Sequence, residues 1–269
     1  MRIIALRFIQ FSMKKIMGMV GFMLIASLAL YAQGPPITGD KPIMLSGGSV
    51  VIKTLTEIRQ TEYGTFTYVP LMVHYLPTSN SLVAVHLPMV FRNVSGNLEH
   101  TSGLGDIQLR AKYQFYRKDQ MGKTFRMVAK TIQMLPTGRK WNQRGISMGE
   151  YGSYLGVVAG YESIKYGISN ELGYNLVPAY DTDELRYKLG FGLPLFKPVY
   201  PVKQINLYFE YNANWAVETN DFDLLYSQGI QYAKGRLTVE VAIQAPLIQA
   251  VADEYKRQYA VFLGTRYIF

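Results

Sequence analysis

The sequence predicts an all-β fold: an antiparallel transmembrane β-barrel of about twelve strands behind a cleaved signal peptide. Three observations predict it. The first 32 residues are ordered as an export signal. Beyond them no apolar run reaches the roughly 18–20 residues of a membrane helix, yet segments of about 10 to 13 residues alternate apolar and polar side chains, the pattern of a tilted spanning strand. The chain then ends on such a segment, with an aromatic residue last.

Composition narrows the chemistry. The 269 residues include 28 Lys+Arg and 19 Asp+Glu, for a net charge of +9. Charged residues are 17%, below the ~25% of soluble domains. With no cysteine, a disulfide scaffold, a zinc ribbon, an iron–sulfur centre and a Cys nucleophile are excluded. Three histidines are too few for most histidine metal sites, so neither metal nor cofactor is expected.

Arg2, Arg7, Lys14 and Lys15 precede an apolar run from Ile16 to Leu30, and Ala32 stands at the cut, with no acidic residue before it. The run is shorter than a span needs. Met13-Lys14-Lys15 also makes a natural start, so translation from Met1 or from Met13 stays open. Cleavage after Ala32 leaves 237 residues at +5, so part of the basic balance is targeting and a nucleic-acid partner is not expected. Residues 33–49 are expected as a periplasmic N-terminal tail and residues 50–269 as the barrel.

The strands follow in order at 50–60, 66–77, 81–91, 104–116, 125–136, 151–162, 165–177, 183–194, 205–217, 222–232, 236–248 and 258–269. In the fourth, Ile107, Leu109, Ala111, Tyr113 and Phe115 alternate with Asp106, Gln108, Arg110, Lys112 and Gln114. In the ninth, Ile205, Leu207, Phe209, Tyr211, Ala213 and Trp215 oppose Asn206, Tyr208, Glu210, Asn212 and Asn214. The eighth and eleventh alternate likewise, from Leu185 to Leu193 and from Leu237 to Leu247. Pro70 and Pro88 interrupt ladders and mark bulges. A soluble sandwich has shorter strands and no reason for Arg, Lys and Glu at mid-strand; a barrel turns that polar face to its lumen and the apolar face to lipid. Most short connections fall on the side of the two termini, including a turn near Arg117 to Lys123; most long ones fall opposite, among them Thr137 to Glu150. That is the asymmetry of bacterial outer-membrane barrels. Tyr113, Tyr187, Tyr211 and Trp215 are expected as outward girdle residues.

The last strand places Tyr259, Val261, Leu263, Thr265, Tyr267 and Phe269 on one face. Tyr267 and Phe269 resemble the terminal signal that the barrel-assembly machinery reads. Gly103-Leu104-Gly105-Asp106-Ile107, followed by Ala111-Lys112-Tyr113, and then Leu135-Pro136-Thr137-Gly138, resemble the two hallmarks of the outer-membrane transporter family named for the meta-pathway of phenol degradation. The resemblance covers most of the mature chain. It implies a barrel in the outer membrane of a Gram-negative bacterium that passes small apolar or aromatic molecules, with membrane lipid and lipopolysaccharide around it. The chain departs from the family at Gly138-Arg139-Lys140-Trp141, where an acidic residue often stands.

By parity the lumen receives Lys53, Glu57, Arg59, Asp106, Arg110, Lys112, Arg126, Lys130, Glu171, Arg186, Lys188, Glu210, Glu240 and Arg266: nine basic and five acidic residues. If the lumen is open, such a lining favours anions or aromatic acids. If the charges pair, it is a structural plug. Gly103, Gly105 and Asp106 precede a strand, which does not suit a phosphate loop; they read as a turn into it, with Asp106 capping local backbone or facing the lumen. Pro136, Thr137 and Gly138 read as a strand-ending turn. Arg139, Lys140, Trp141 and Arg144 fall in an expected outer loop, where they read first as a solvated loop and second as a contact for anionic lipopolysaccharide.

The leading functional expectation is a passive channel for small solutes. The alternatives are a non-conducting structural or surface-interaction barrel, and a phospholipase-like enzyme using His100 and Ser102. The enzyme needs a third group to orient the histidine, and the residue at the right distance along the chain is Gln114 rather than an Asn at the outer rim. No catalytic residue is therefore assigned. His74 and His86 fall in facing strands without a ligand cluster.

Overall fold

The computed structural model describes residues 36–94, 100–139, 149–176, 183–196 and 203–269. The export signal expected at residues 1–32, and Lys140, Trp141 and Arg144, lie outside the described residues.

Hydrocarbon offers no partner to a backbone N–H or C=O, so a spanning sheet has to leave no edge. The sheet here closes. Its strands are β1 (Val50–Thr61), β2 (Gly64–Thr78), β3 (Ser81–Val94), β4 (His100–Leu104), β5 (Gln108–Gln120), β6 (Lys123–Met134), β7 (Gly152–Ser163), β8 (Gly167–Leu176), β9 (Glu184–Pro194), β10 (Lys203–Ala216), β11 (Phe222–Lys234), β12 (Leu237–Ala250) and β13 (Arg257–Ile268). All pairings are antiparallel, and β1 zips onto β13 from Val51↔Ile268 to Thr61↔Arg257. β4 pairs with Met89–Asn93 and β5 with Ser81–His86, so both lie on β3 as one stave interrupted at residues 105–107. The result is a closed antiparallel barrel of twelve staves, as the periodicity predicts.

Period-two alternation sorts the two faces. On β12, Leu237, Val239, Val241 and Ile243 are exposed outward while Thr238, Glu240, Ala242 and Gln244 are buried inward. On β3, Val83, Val85, Leu87, Met89 and Phe91 point out, and Ala84, His86 and Val90 point in. A soluble protein could not tolerate so continuous an apolar exterior; lipid requires it. Tyr113, Tyr187 and Trp215 are exposed on this surface, whereas Tyr211 is only half-exposed, with its ring 5.3 Å from that of Tyr226. At the chain end the Phe269 N–H donates to Val50 C=O (2.9 Å), and its ring meets Tyr267 edge-on at 4.8 Å.

The structure departs from expectation at three places. The turn expected near residues 117–123 is a two-residue turn at Met121–Gly122, because β5 and β6 run further than their apolar pattern. Arg117 and Arg126 both reach Asp119 there, so cross-strand charge continues the ladder after hydrophobicity has stopped. A bulge between Gln114 and Tyr116 also reverses the parity of β5, leaving Phe115 and Tyr116 both exposed. Of Pro70 and Pro88, the first marks no bulge, whereas beside the second the register of β3 with its neighbouring stave slips by one residue, from Met89↔Leu104 to His86↔Gln108. The two prolines stand directly opposite each other, and the β1–β2 register is the same on both sides, from Thr54↔Leu71 to Glu57↔Tyr68. Each proline lacks a donor where the ladder to its outer neighbour lapses.

The stave break after β4 brings the two sequence motifs together. Asp106 is buried, and its carboxylate accepts the N–H groups of Gly138 (3.1 Å) and Gly149 (2.9 Å), 32 and 43 residues further on. Asp106 therefore ties down a distant loop. The Ile107 N–H donates to Thr137 Oγ1 (2.9 Å), Arg139 N–H to Leu104 C=O (3.0 Å) and Gly105 N–H to Pro88 C=O (2.9 Å). Pro136 is exposed and leads into this turn. Gly138 packs so closely on Gly105 that a Cβ would overlap the Gly105 carbonyl carbon and the Asp106 nitrogen. Neither atom belongs to a flexible side chain, so backbone has to move. Gly138→Ala is expected to destabilise the barrel by about 1–3 kcal/mol, checked as a lower urea midpoint of the protein refolded in liposomes.

Candidate functional site

The polar inner face creates a lumen, and the chain fills part of it itself. Residues 36–45, expected as part of a periplasmic tail, run inside the barrel. They touch the inner faces of staves on opposite sides of the ring, which only a segment within it can do. Near the end where both termini lie, Met44 is buried with Val51, Leu76, Val128 and Val158. Lys41 then pairs with Glu162 (2.5 Å) on β7. Asp40 bridges Lys112 on β5 and Lys130 on β6, the latter at 3.0 Å. Beyond it the N–H groups of Ile37, Thr38 and Gly39 all donate to the Glu210 carboxylate on β10, at 2.7, 2.8 and 2.7 Å, with the Thr38 hydroxyl at 2.5 Å. Successive backbone donors around one anion form a nest. Ile37 closes the path in an apolar cluster with Tyr208, Ala242, Ala260 and Phe262.

The tail was hard to foresee because its own sequence is short and mixed. The signal lay in the wall. Inward glycines stand where the tail passes: a Cβ on Gly160 would meet Pro42 at 2.7 Å, one on Gly190 would meet Pro36 at 3.3 Å, and one on Gly229 would overlap Ile37. A glycine inside a strand marks close approach of another backbone. Enclosure of residues 36–45 satisfies their donors on Glu210 and their charges on Glu162, Lys112 and Lys130, so a polar lumen holds them where an apolar one would not.

The lumen residues expected by parity are drawn into pairs. Lys53 meets Glu240 at 3.3 Å, and Glu240 also accepts from Gln231 (2.7 Å). Arg59 donates to Glu57 (2.8 Å), and Arg186 to Glu184 (2.8 Å). Lys130 joins Glu171 at 2.7 Å, and Tyr154 donates its hydroxyl to the same carboxylate oxygen. Arg126 donates to Thr124 (3.1 Å), Arg266 to Thr238 (3.2 Å) and Arg110 to Gln108 (2.6 Å). Lys188 donates to Thr38 C=O at 3.3 Å. Asp106, also expected by parity, is buried and holds the loop amides at the stave break.

Above the tail the lumen widens. A cavity of about 210 Å³ lies between Thr38 and the outer rim. Arg59, Arg186, Lys188 and Arg257 line it with Glu57, Glu184 and Asp223, and Leu55, Leu225 and Phe262 add an apolar wall. Asp223, Glu184 and Arg257 are inward groups that the parity reading missed, because they lie at strand ends where alternation fades. Arg257 also donates from its backbone N–H to Gln249 Oε1 (2.8 Å) where the β12–β13 ladder has stopped beyond Gln244↔Ala260.

Two other clusters were weighed. His74 and His86 stack with centroids 5.2 Å apart and Nε2 atoms at 3.1 Å; among the described residues no group of three or more His, Asp or Glu could hold a metal. Ser102 lies in β4 opposite Phe91, while Gln114 bonds Asn80 (3.0 Å) at the other end of the barrel. Gln114 therefore provides no third group for a His100–Ser102 pair.

The fold is that of outer-membrane barrels. An outer membrane channel from Pseudomonas putida F1 superposes with a TM-score of 0.60 at 14% identity, over 85% of this chain and 98% of that one. The beta domain of the Bordetella autotransporter Brka superposes at 0.50 with 12% identity, over 83% and 100%. No protein-family model and no curated protein sequence matches the chain.

The Lys130–Glu171 pair is the most enclosed ion pair among the described residues, with side chains 5% and 3% exposed. Lys130→Met strands Glu171 with only the Tyr154 hydroxyl. The expected cost is about 3–5 kcal/mol, the loss from leaving one half of a buried pair, measured by urea unfolding in liposomes. Lys130→Arg, which keeps the charge, is expected to lose less.

Proposed function

We propose that the protein is an exported outer-membrane channel for small solutes, held closed by its own N-terminal segment. One observation carries this: a charged outer cavity runs inward and meets the tail at Thr38, which is held on Glu210, so a single segment stands between the vestibule and the far side. A barrel built only as scaffold would need neither a vestibule nor wall glycines shaped to a removable segment. The resemblance of the two glycine motifs to the phenol meta-pathway transporters and the structural likeness to a channel support the reading. The apolar wall of Leu55, Leu225 and Phe262 beside the arginines suits small aromatic solutes. Lipid and lipopolysaccharide surround the exterior, the signal peptide supplies export, and Tyr267 and Phe269 supply the assembly signal.

The tail is anchored chiefly by Glu210, and removing that carboxylate leaves three backbone donors and the Thr38 hydroxyl without their acceptor. In planar bilayers the native protein is expected to give small, infrequent conductance steps, and Glu210→Ala larger ones, at least threefold in mean conductance. Heat-modifiable gel mobility verifies that both are folded. A folded Glu210→Ala barrel as silent as the native one, in bilayers and in liposome swelling alike, would turn the reading to a structural barrel.

A further inference from the structure

The contact between Asp40 and the wall has an imbalance. Lys112 and Lys130 come from neighbouring strands and are 13% and 5% exposed, whereas Asp40 is 20% exposed and arrives on the tail. Lys130 has a second carboxylate in Glu171. Lys112 has none besides Asp40 among the described residues. Close by, among the described residues, Lys188 holds only the Thr38 carbonyl, and Arg110 holds Gln108 while its Nε is buried without a partner. Withdrawing the tail therefore takes one carboxylate and one carbonyl away from a group of enclosed cations. An unpaired buried charge is costly, so the opened lumen calls for another anion at that place.

We propose that Lys112 and Lys130 form a binding site for the carboxylate of a small organic acid, and that Asp40 occupies it in the closed barrel as a stand-in for that solute. The inference rests on the channel reading above and names its solute class. The approach fits the class. Arg59, Arg186, Lys188 and Arg257 line the outer cavity, and Lys188 also holds the carbonyl of Thr38, two residues along the tail from Asp40. Phe262 and Leu225 line the same cavity, so a molecule with an apolar body and one carboxylate finds a surface for each part. The solute and Asp40 cannot hold the lysines together, so solute binding and tail seating compete; the solute itself opens the path.

The test uses the full processed chain in detergent micelles, with benzoate and its uncharged counterpart benzyl alcohol. Isothermal titration is expected to show Asp40→Asn binding benzoate at least tenfold more tightly than the native protein, because the competitor is gone. Adding Lys112→Gln to Asp40→Asn is expected to return affinity to the native level or below. Benzyl alcohol is expected to bind alike in all three. In liposome swelling, Asp40→Asn is expected to speed benzoate entry more than benzyl alcohol entry. Benzoate affinity that is unchanged by Lys112→Gln in the folded double variant overturns the site. Equal acceleration of both solutes also overturns it, leaving the tail as a plug without solute mimicry. Lysine-dependent benzoate binding with no passage of any solute, even in Glu210→Ala, sustains the site and overturns the channel reading instead.

Discussion

Every peptide group that faces hydrocarbon has to find its partner within the chain, and the antiparallel seam between β1 and β13 is where this barrel meets that demand. Without it the two end strands would each present a row of bare donors and acceptors to lipid. The seam runs nearly the whole length of both strands. Closure has a second consequence: it encloses a volume whose wall, by the period of a strand, is polar. The outer face is then committed to lipid and the inner face to whatever can satisfy Arg, Lys and Glu at low water content.

Two kinds of partner satisfy them here. Some charges pair across neighbouring strands, as Lys53 with Glu240 and Lys130 with Glu171. Others are met by the tail, which presents a carboxylate to the lysines and a row of amides to Glu210. The tail is complementary to the wall in sign at each point of its path. Wall pairs are fixed by strand register. Tail pairs depend on a segment that lies outside the sheet, and they are the pairs that the proposed solute would contest.

The stave break after β4 shows how a weak motif acquires meaning. Gly105, Asp106 and Gly138 are unremarkable as isolated letters, and a local turn was the simplest account of each. In the folded barrel they are one joint, with Asp106 holding the amides of Gly138 and Gly149 and the two glycines in van der Waals contact. It places an outer loop against the wall at the point where β3 changes partner from β5 to β4.

Strand number, strand order and the two faces were determined by the sequence itself, because alternation has a period of two and depends only on nearest neighbours along the chain. Where a local rule bends, as at the Gln114–Tyr116 bulge or the charged extension of β5 and β6, the reading slipped by a few residues. The contents of the lumen were decided only by tertiary structure. Lys112, Lys130 and Glu210 were legible as inward residues, but Asp40 lies 72 residues from Lys112 and Glu210 lies 173 from Ile37, and nothing in periodicity links such positions. Their meeting follows from closing the ring around a segment whose charges and amides match the wall, and a match of that kind exists only in three dimensions.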